Sequence, residues 1–221
     1  MKYFILRNET DSRIIGKYPQ VEELKVDFQK ARGDQFAEIN NWDENTELPD
    51  FDHFLLKKGA KLTDAINSSF VSIMSGMILS QKAYEIIVNY KLALVESRPA
   101  KVYFLGQSHR YCFVWYKAAF DLIDYKNSKF YTYSTTKQAF GNEVAVASAI
   151  EFREKNLELL KSGKMEKLYP KIVSVNDNYD FIHLGITGHL SCSENLKNHL
   201  ETEGITGFRF KEVNYSVVIN Q

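Results

Sequence analysis

The sequence predicts an α+β protein in which antiparallel sheet dominates and a few short helices pack on it. Three observations carry that expectation. Short apolar or alternating runs bounded by Gly, Asn, Asp and Ser recur along most of the chain. Phe and Tyr, which favour strands, number 15 and 13 in 221 residues. Helical spacing of apolar residues is confined to a few short segments, around 21–31, 81–90, 151–161 and 196–200. The length fits one domain, 1–221, or two closely packed lobes at roughly 1–97 and 98–221.

Taken in order, Met1–Arg7 reads as a first strand followed by turn residues at Asn8–Ser12. Ile14–Pro19 reads as a short strand ended by proline. Leu24, Phe28 and Ala31 suggest a helix over 21–31, and His53–Leu56 a strand before the turn Lys57-Lys58-Gly59. Leu62, Ala65 and Ile66 fit a short inward-facing helix or turn. Gly76–Leu79 is a short apolar strand, and Ser80 is placed to cap the helix that follows, with Ala83, Ile86 and Ile87 on one face.

Arg98-Pro99 punctuates the chain. Strands are then expected at 101–105, 110–116, 120–124, 129–134 and 144–147, with 106–109 as a hairpin connection. Phe152, Leu157 and Leu160 mark a helix over 151–161 that Gly163 can stop. Strands at 172–175 and 179–184 come next. Ser191 and Glu194 have capping-box spacing ahead of Leu196 and Leu200, Gly204 closes that helix, and 205–210 returns as a strand.

A weak internal repeat is legible. With Ser80 set against Ser193, Ala83 and Leu196 lie three residues on, Ile87 and Leu200 seven on, and Leu92 and Ile205 twelve on. The same strand, serine cap, helix and strand recur, as duplication or as one physical solution used twice.

Composition narrows the function classes. Hydrophobic residues are 44%, charged residues 25%, and the net charge is zero, which argues against a nucleic-acid binder. No apolar run approaches the ~18 residues of a membrane span, and the N-terminal stretch lacks the form of a signal peptide. Two cysteines are too few for a disulfide framework. The expected setting is the reduced cytoplasm, with no membrane partner.

Candidate chemistry is sparse. His183, His189 and Cys192 could form a metal or catalytic group, but the spacing fits no ligand motif. Cys192, at a helix start, is the better candidate for a lowered thiol pKa, whereas Cys112 reads as a core thiol. No phosphate loop, dinucleotide fingerprint or nucleophile elbow occurs, so no catalytic residue, cofactor or metal is expected. Residues 33–52 hold seven acids and no Lys or Arg, interleaved with Phe36, Trp42 and Phe51. Trp42, Asp43, Glu44, Glu47 and Asp50 are therefore the candidate partner-binding residues, offering charge for steering and an aromatic anchor.

The C-terminal run Leu190-Ser191-Cys192-Ser193-Glu194-Asn195-Leu196-Lys197, continuing through Gly204-Ile205-Thr206-Gly207-Phe208-Arg209-Phe210, resembles the ending of a family of immunity proteins of bacterial polymorphic toxin systems. The aromatic strand Tyr111–Tyr116, the stretch Phe120–Phe130, the opening Met1–Leu6 and the segment 62–92 are similar too. Residues 17–50 and 135–178 show no such likeness. The resemblance implies a cytoplasmic, non-catalytic protein that binds and neutralises a cognate toxin, with the contact surface where the likeness fades. The competing expectations are a small hydrolase or transferase built on His183, His189 and Cys192, and a general protein-binding scaffold.

Overall fold

The computed structural model describes residues 2–24, 51–68 and 76–219. Three sheets and a few short helices make up this part of the chain, so the α+β expectation holds, with strands outweighing helices. Most neighbouring strands are antiparallel, but two sheets each contain one parallel pair.

The first sheet is built from β2 (Val21–Leu24), β3 (Phe51–Leu56), β4 (Ala65–Ile66), β5 (Gly76–Ser80), β6 (Val95–Phe104) and β7 (Gln107–Tyr116), in the order β2-β3-β6-β7-β5-β4. The second joins β1 (Tyr3–Asn8), β11 (Phe181–Leu184), β12 (His189–Ser193) and β13 (Phe208–Glu212) as β11-β12-β1-β13. The third runs β14-β10-β8-β9, from Ser216–Ile219, Glu166–Val175, Lys129–Ser134 and Ala139–Val144 respectively. Helix α1 is Ser12–Ile15, α2 is Gln81–Val88, α3 is Ala149–Lys161 and α4 is Glu194–Thr202.

Several expectations are corrected. Ile14 and Ile15 lie in α1 instead of a strand, because Asp11 caps the turn through the Arg13 amide. Residues 21–24 are strand, hydrogen-bonded to β3, and the rest of the 21–31 segment lies outside the described residues. Residues 65–66 form a bridge strand rather than a helix, and Leu62 is partly exposed. Pro99 does not interrupt the chain: it sits inside β6 opposite Cys112. That strand crosses 97/98, and β1 pairs with β12 and β13, so the sheets do not divide into lobes at that point. Residues 120–124 form turns with one bridge, Ile123 to Val175, and the strand expected at 144–147 lies at 139–144. The hairpin between β6 and β7 needs only Leu105 and Gly106, both at positive φ, which is the tight two-residue turn that matches strand twist.

The repeat seen in the sequence is a repeat in space. Strand β4 pairs with β5 (Ala65 opposite Leu79) as β11 pairs with β12 (Phe181 opposite Cys192). Ser80 and Ser193 follow directly, and each hydroxyl accepts from the amide three residues on, Ala83 and Leu196. The cap is thus Ser193, and Ser191 is a buried strand residue instead. Each cap hydroxyl also donates to an aspartate, Ser80 to Asp64 (2.7 Å) and Ser193 to Asp180 (2.6 Å).

The neighbouring strands match as well. Strand β7 lies against β5 with Tyr111 opposite Ser80, and β1 lies against β12 with Tyr3 opposite Ser193. Each tyrosine hydroxyl donates to the carbonyl just before its aspartate: Tyr111 to Thr63 (2.8 Å) and Tyr3 to Tyr179 (2.6 Å). The strand orders β4-β5-β7-β6 and β11-β12-β1-β13 are therefore equivalent. The second unit takes its third strand from the opposite end of the chain.

The units clasp one another reciprocally. Asp64 of the first accepts from the amide and hydroxyl of Thr206, which follows α4, and Asp180 of the second accepts from the amide of Lys91, which follows α2. Such mutual exchange is the logic of a self-complementary pair. Between them lies one shared core: Met77, Leu79, Ala83 and Ile87 pack with Leu6, Phe181, Cys192, Leu196, Leu200 and Phe208. Gly207 is required where the units meet, since its φ is +90° and a Cβ there would stand 2.1 Å from the Ala65 carbonyl oxygen.

Candidate functional site

A groove of about 370 Å³ opens between the units at the ends of their strands. Register shows that it is lined by equivalent positions. Two residues past Ala65 and Phe181 stand Asn67 and His183. Four before each cap serine stand Gly76 and His189, and three before stand Met77 and Leu190. Five past Tyr111 and Tyr3 stand Tyr116 and Asn8. All eight line the groove, together with Arg7, Thr10, Tyr18 and Arg209.

The chemistry of the pairs differs sharply between the units. The first contributes a small residue, an amide and a phenol; the second contributes two imidazoles and an amide. On β1 and β13, Arg7 is directly opposite Arg209, and Ile5 opposite Lys211, which puts three cations on one face. At the equivalent rung of the first unit Trp115 faces Glu96. Arg209 donates to the Thr10 hydroxyl at 3.3 Å. Among the described residues neither Arg7 nor Arg209 is paired with a carboxylate.

Both imidazoles are held below their ordinary pKa. For His183 burial is the largest cause, opposed by the Gly188 backbone. For His189 burial again leads, followed by Arg7 and Lys167. Both rings are therefore neutral at pH 7 and each keeps one N–H to donate. The His183 ring sits edge-on to Tyr116, with centroids 5.2 Å apart, and its Nδ1 is buried without a hydrogen-bond partner among the described residues. The Oδ1 of Asn8 is likewise buried and unpartnered.

The group His183, His189 and Cys192, weighed from the sequence, does not assemble. Cys192 lies on the face of β12 turned into the shared core, fully buried, and burial pushes its thiol up to about 12. The helix-start effect expected to lower it fails because the side chain points away from water and Ser193, not Cys192, holds the cap. Cys112 is a core thiol, as expected. No group of three or more His, Cys, Asp or Glu suited to a metal occurs among the described residues. The acidic candidates Trp42, Asp43, Glu44, Glu47 and Asp50 lie outside the described residues.

What spacing missed is the contribution of Arg7, Asn8 and Arg209. Arg7 and Asn8 are neighbours that lie 202 and 201 residues before Arg209, and only the pairing of β1 with β13 brings them to it. A second surface also departs from expectation. Leu157 and Leu160, which with Phe152 marked the helix in the sequence, are exposed, while Phe152 alone is buried on α3. Ile150 and Leu157 stand two turns apart on one line, Leu160 is one turn further, and Met165 follows the helix; these side chains are 67%, 50%, 58% and 62% exposed.

No protein-family model matches the chain, and no curated protein matches it. No helix among the described residues is long and apolar enough to cross a membrane.

Proposed function

We propose that this protein is an immunity protein that binds and neutralises a cognate bacterial toxin by stoichiometric occlusion, without catalysis of its own, in the cytoplasm. The observation that carries the reading is the exposed apolar stripe Ile150, Leu157 and Leu160 on one side of α3, with the exposed Met165 shortly after the helix. It lies within 135–178, where the resemblance to immunity proteins fades and partner choice has room to vary. Apolar side chains aligned on an outward helix face are the usual material of a contact hot spot.

Two further facts support it. The residues that carry the resemblance serve the scaffold: Ser193 caps, Leu196, Leu200 and Phe208 fill the shared core, and Gly207 allows the close approach to Ala65. The rival enzyme reading loses its nucleophile with the burial of Cys192.

The test is co-expression with the product of the neighbouring gene, scored by growth and by pull-down. Rescue with a 1:1 complex supports immunity by binding; no rescue and no complex removes the reading. Within a confirmed pair, I150D/L157D/L160D is expected to weaken binding at least about 30-fold, in line with the loss of two or more hot-spot side chains at about 1–2 kcal/mol each. Unchanged affinity would take α3 out of the interface. The triple charge reversal D43K/E44K/E47K asks the same of the acidic segment and should act mainly on association rate.

A further inference from the structure

We propose that the groove between the two units is a binding site for a phosphate group carried by a small molecule. The inference stands apart from the toxin-binding reading and rests on four observations.

The first is a like-charge rung. Arg7 and Arg209 are direct cross-strand partners, with Lys211 on the same face. Side chains so opposed lie close together, and like charges there are destabilising. The second is that this rung is not needed by the fold, because the equivalent rung of the first unit is Trp115 opposite Glu96. The same architecture forms with an apolar-acidic pair, so the cationic pair answers to something else.

The third is the absence of an internal counter-ion: among the described residues no carboxylate pairs with Arg7 or Arg209. Guanidinium groups of this kind take carboxylate or phosphate oxygens. Two arginines lining one groove, with Lys211 further along the same sheet face, match a doubly charged tetrahedral phosphate better than a single carboxylate. The fourth is the pair of orphaned buried atoms, His183 Nδ1 and Asn8 Oδ1, on residues lining the same groove. Buried polar atoms are almost always satisfied, and because these two have almost no accessible surface an occupant of the groove meets them only once their side chains turn toward it. Turned in that way, the neutral His183 imidazole and the Asn8 amide each have an N–H to donate to phosphate oxygens.

The size of the groove leaves room for a phosphate ester. About 370 Å³ lies within the range of small-molecule sites and exceeds what a bare phosphate fills. The polar pairs Asn67 and Tyr116, contributed by the first unit, are left for the remainder of the ligand.

The test uses the full chain and inorganic phosphate as probe, in thermal unfolding at pH 7.5 against sodium chloride of equal ionic strength. The wild type should gain roughly 3 °C or more, saturating with phosphate concentration. Arg209→Gln, at an exposed position, should melt no lower than wild type without phosphate, since it removes the repulsive rung, and should lose the phosphate response. Arg7→Gln should behave alike. A wild-type response no larger than that to chloride overturns the proposal. So does a full response in both variants, or a lower melting point for Arg209→Gln in chloride alone.

Discussion

The two strand–serine–helix–strand units of this protein share a register and differ in how each is completed. The first is contiguous: β6 and β7 follow α2 and are joined by Leu105 and Gly106. The second ends at β13 and borrows β1 from the other end of the chain. The first continues sideways into β3 and β2, whereas β13 is the last strand of its sheet among the described residues. One unit is thus embedded, and the other is closed by a distant strand and left with an open cationic face. Duplicated scaffolds can keep the same caps, buried tyrosines and aspartates while their rims diverge, because caps and cores are constrained by packing and rims are not.

The largest test of this comparison removes the borrowed strand. Deleting residues 1–8 withdraws the buried side chains of Tyr3, Ile5 and Leu6 and both ladders of β1. At about 1.5–3 kcal/mol per buried side chain, the loss approaches the whole stability of a typical domain. The truncated chain should show no cooperative urea transition by circular dichroism. A cooperative transition near the wild-type midpoint would mean that the second unit does not depend on β1.

The next effect probes the shared core. Ile87 and Leu200 occupy equivalent positions, seven residues past their caps, and both are essentially inaccessible. Ile87→Ala and Leu200→Ala should each cost about 2–5 kcal/mol. Because one core joins the units, each substitution should lower amide-exchange protection in both, at Leu79 and at Cys192 alike. Loss confined to the unit that carries the substitution would split the protein into two independent folding units.

The smallest effect separates the units by pH. Burial alone would raise the pKa of Asp64, but the Thr206 amide and the Ser80 and Thr206 hydroxyls outweigh it, and the net shift is downward. A depressed folded-state pKa contributes stability that is present above the unfolded value, near 4, and is lost as pH falls through the folded value. The wild type should therefore lose stability between about pH 4 and lower pH, and Asp64→Asn should flatten that limb while being less stable at pH 7. Equal acid slopes in the two proteins would show that the clasp to Thr206 does not depend on the Asp64 charge.

Much of this was legible in the residues because it is local. Serine before an amphipathic turn, glycine after it, and apolar residues three and seven positions past the cap report the units directly, since capping and helical period act over a few residues. Two readings failed for one reason. Leu157 and Leu160 have the spacing of a buried face, and Ser191 the spacing of a cap, but periodicity fixes which residues share a face without fixing which face meets the core. That choice belongs to partners far away: Phe152 meets Phe130 on β8, and Ser191 is claimed by β12 and its contact with Tyr215.

The sequence by itself determined the α+β class, the apolar spacing shared by the two serine-capped segments and the core thiol Cys112, all set by short-range spacing and side-chain chemistry. The tertiary structure alone decided that β1 completes the second unit, that Cys192 is buried in the shared core, and that Arg7 meets Arg209 beside His189. Those outcomes depend on strand pairings that join residues up to some two hundred positions apart, and no local pattern encodes which edge a strand will choose.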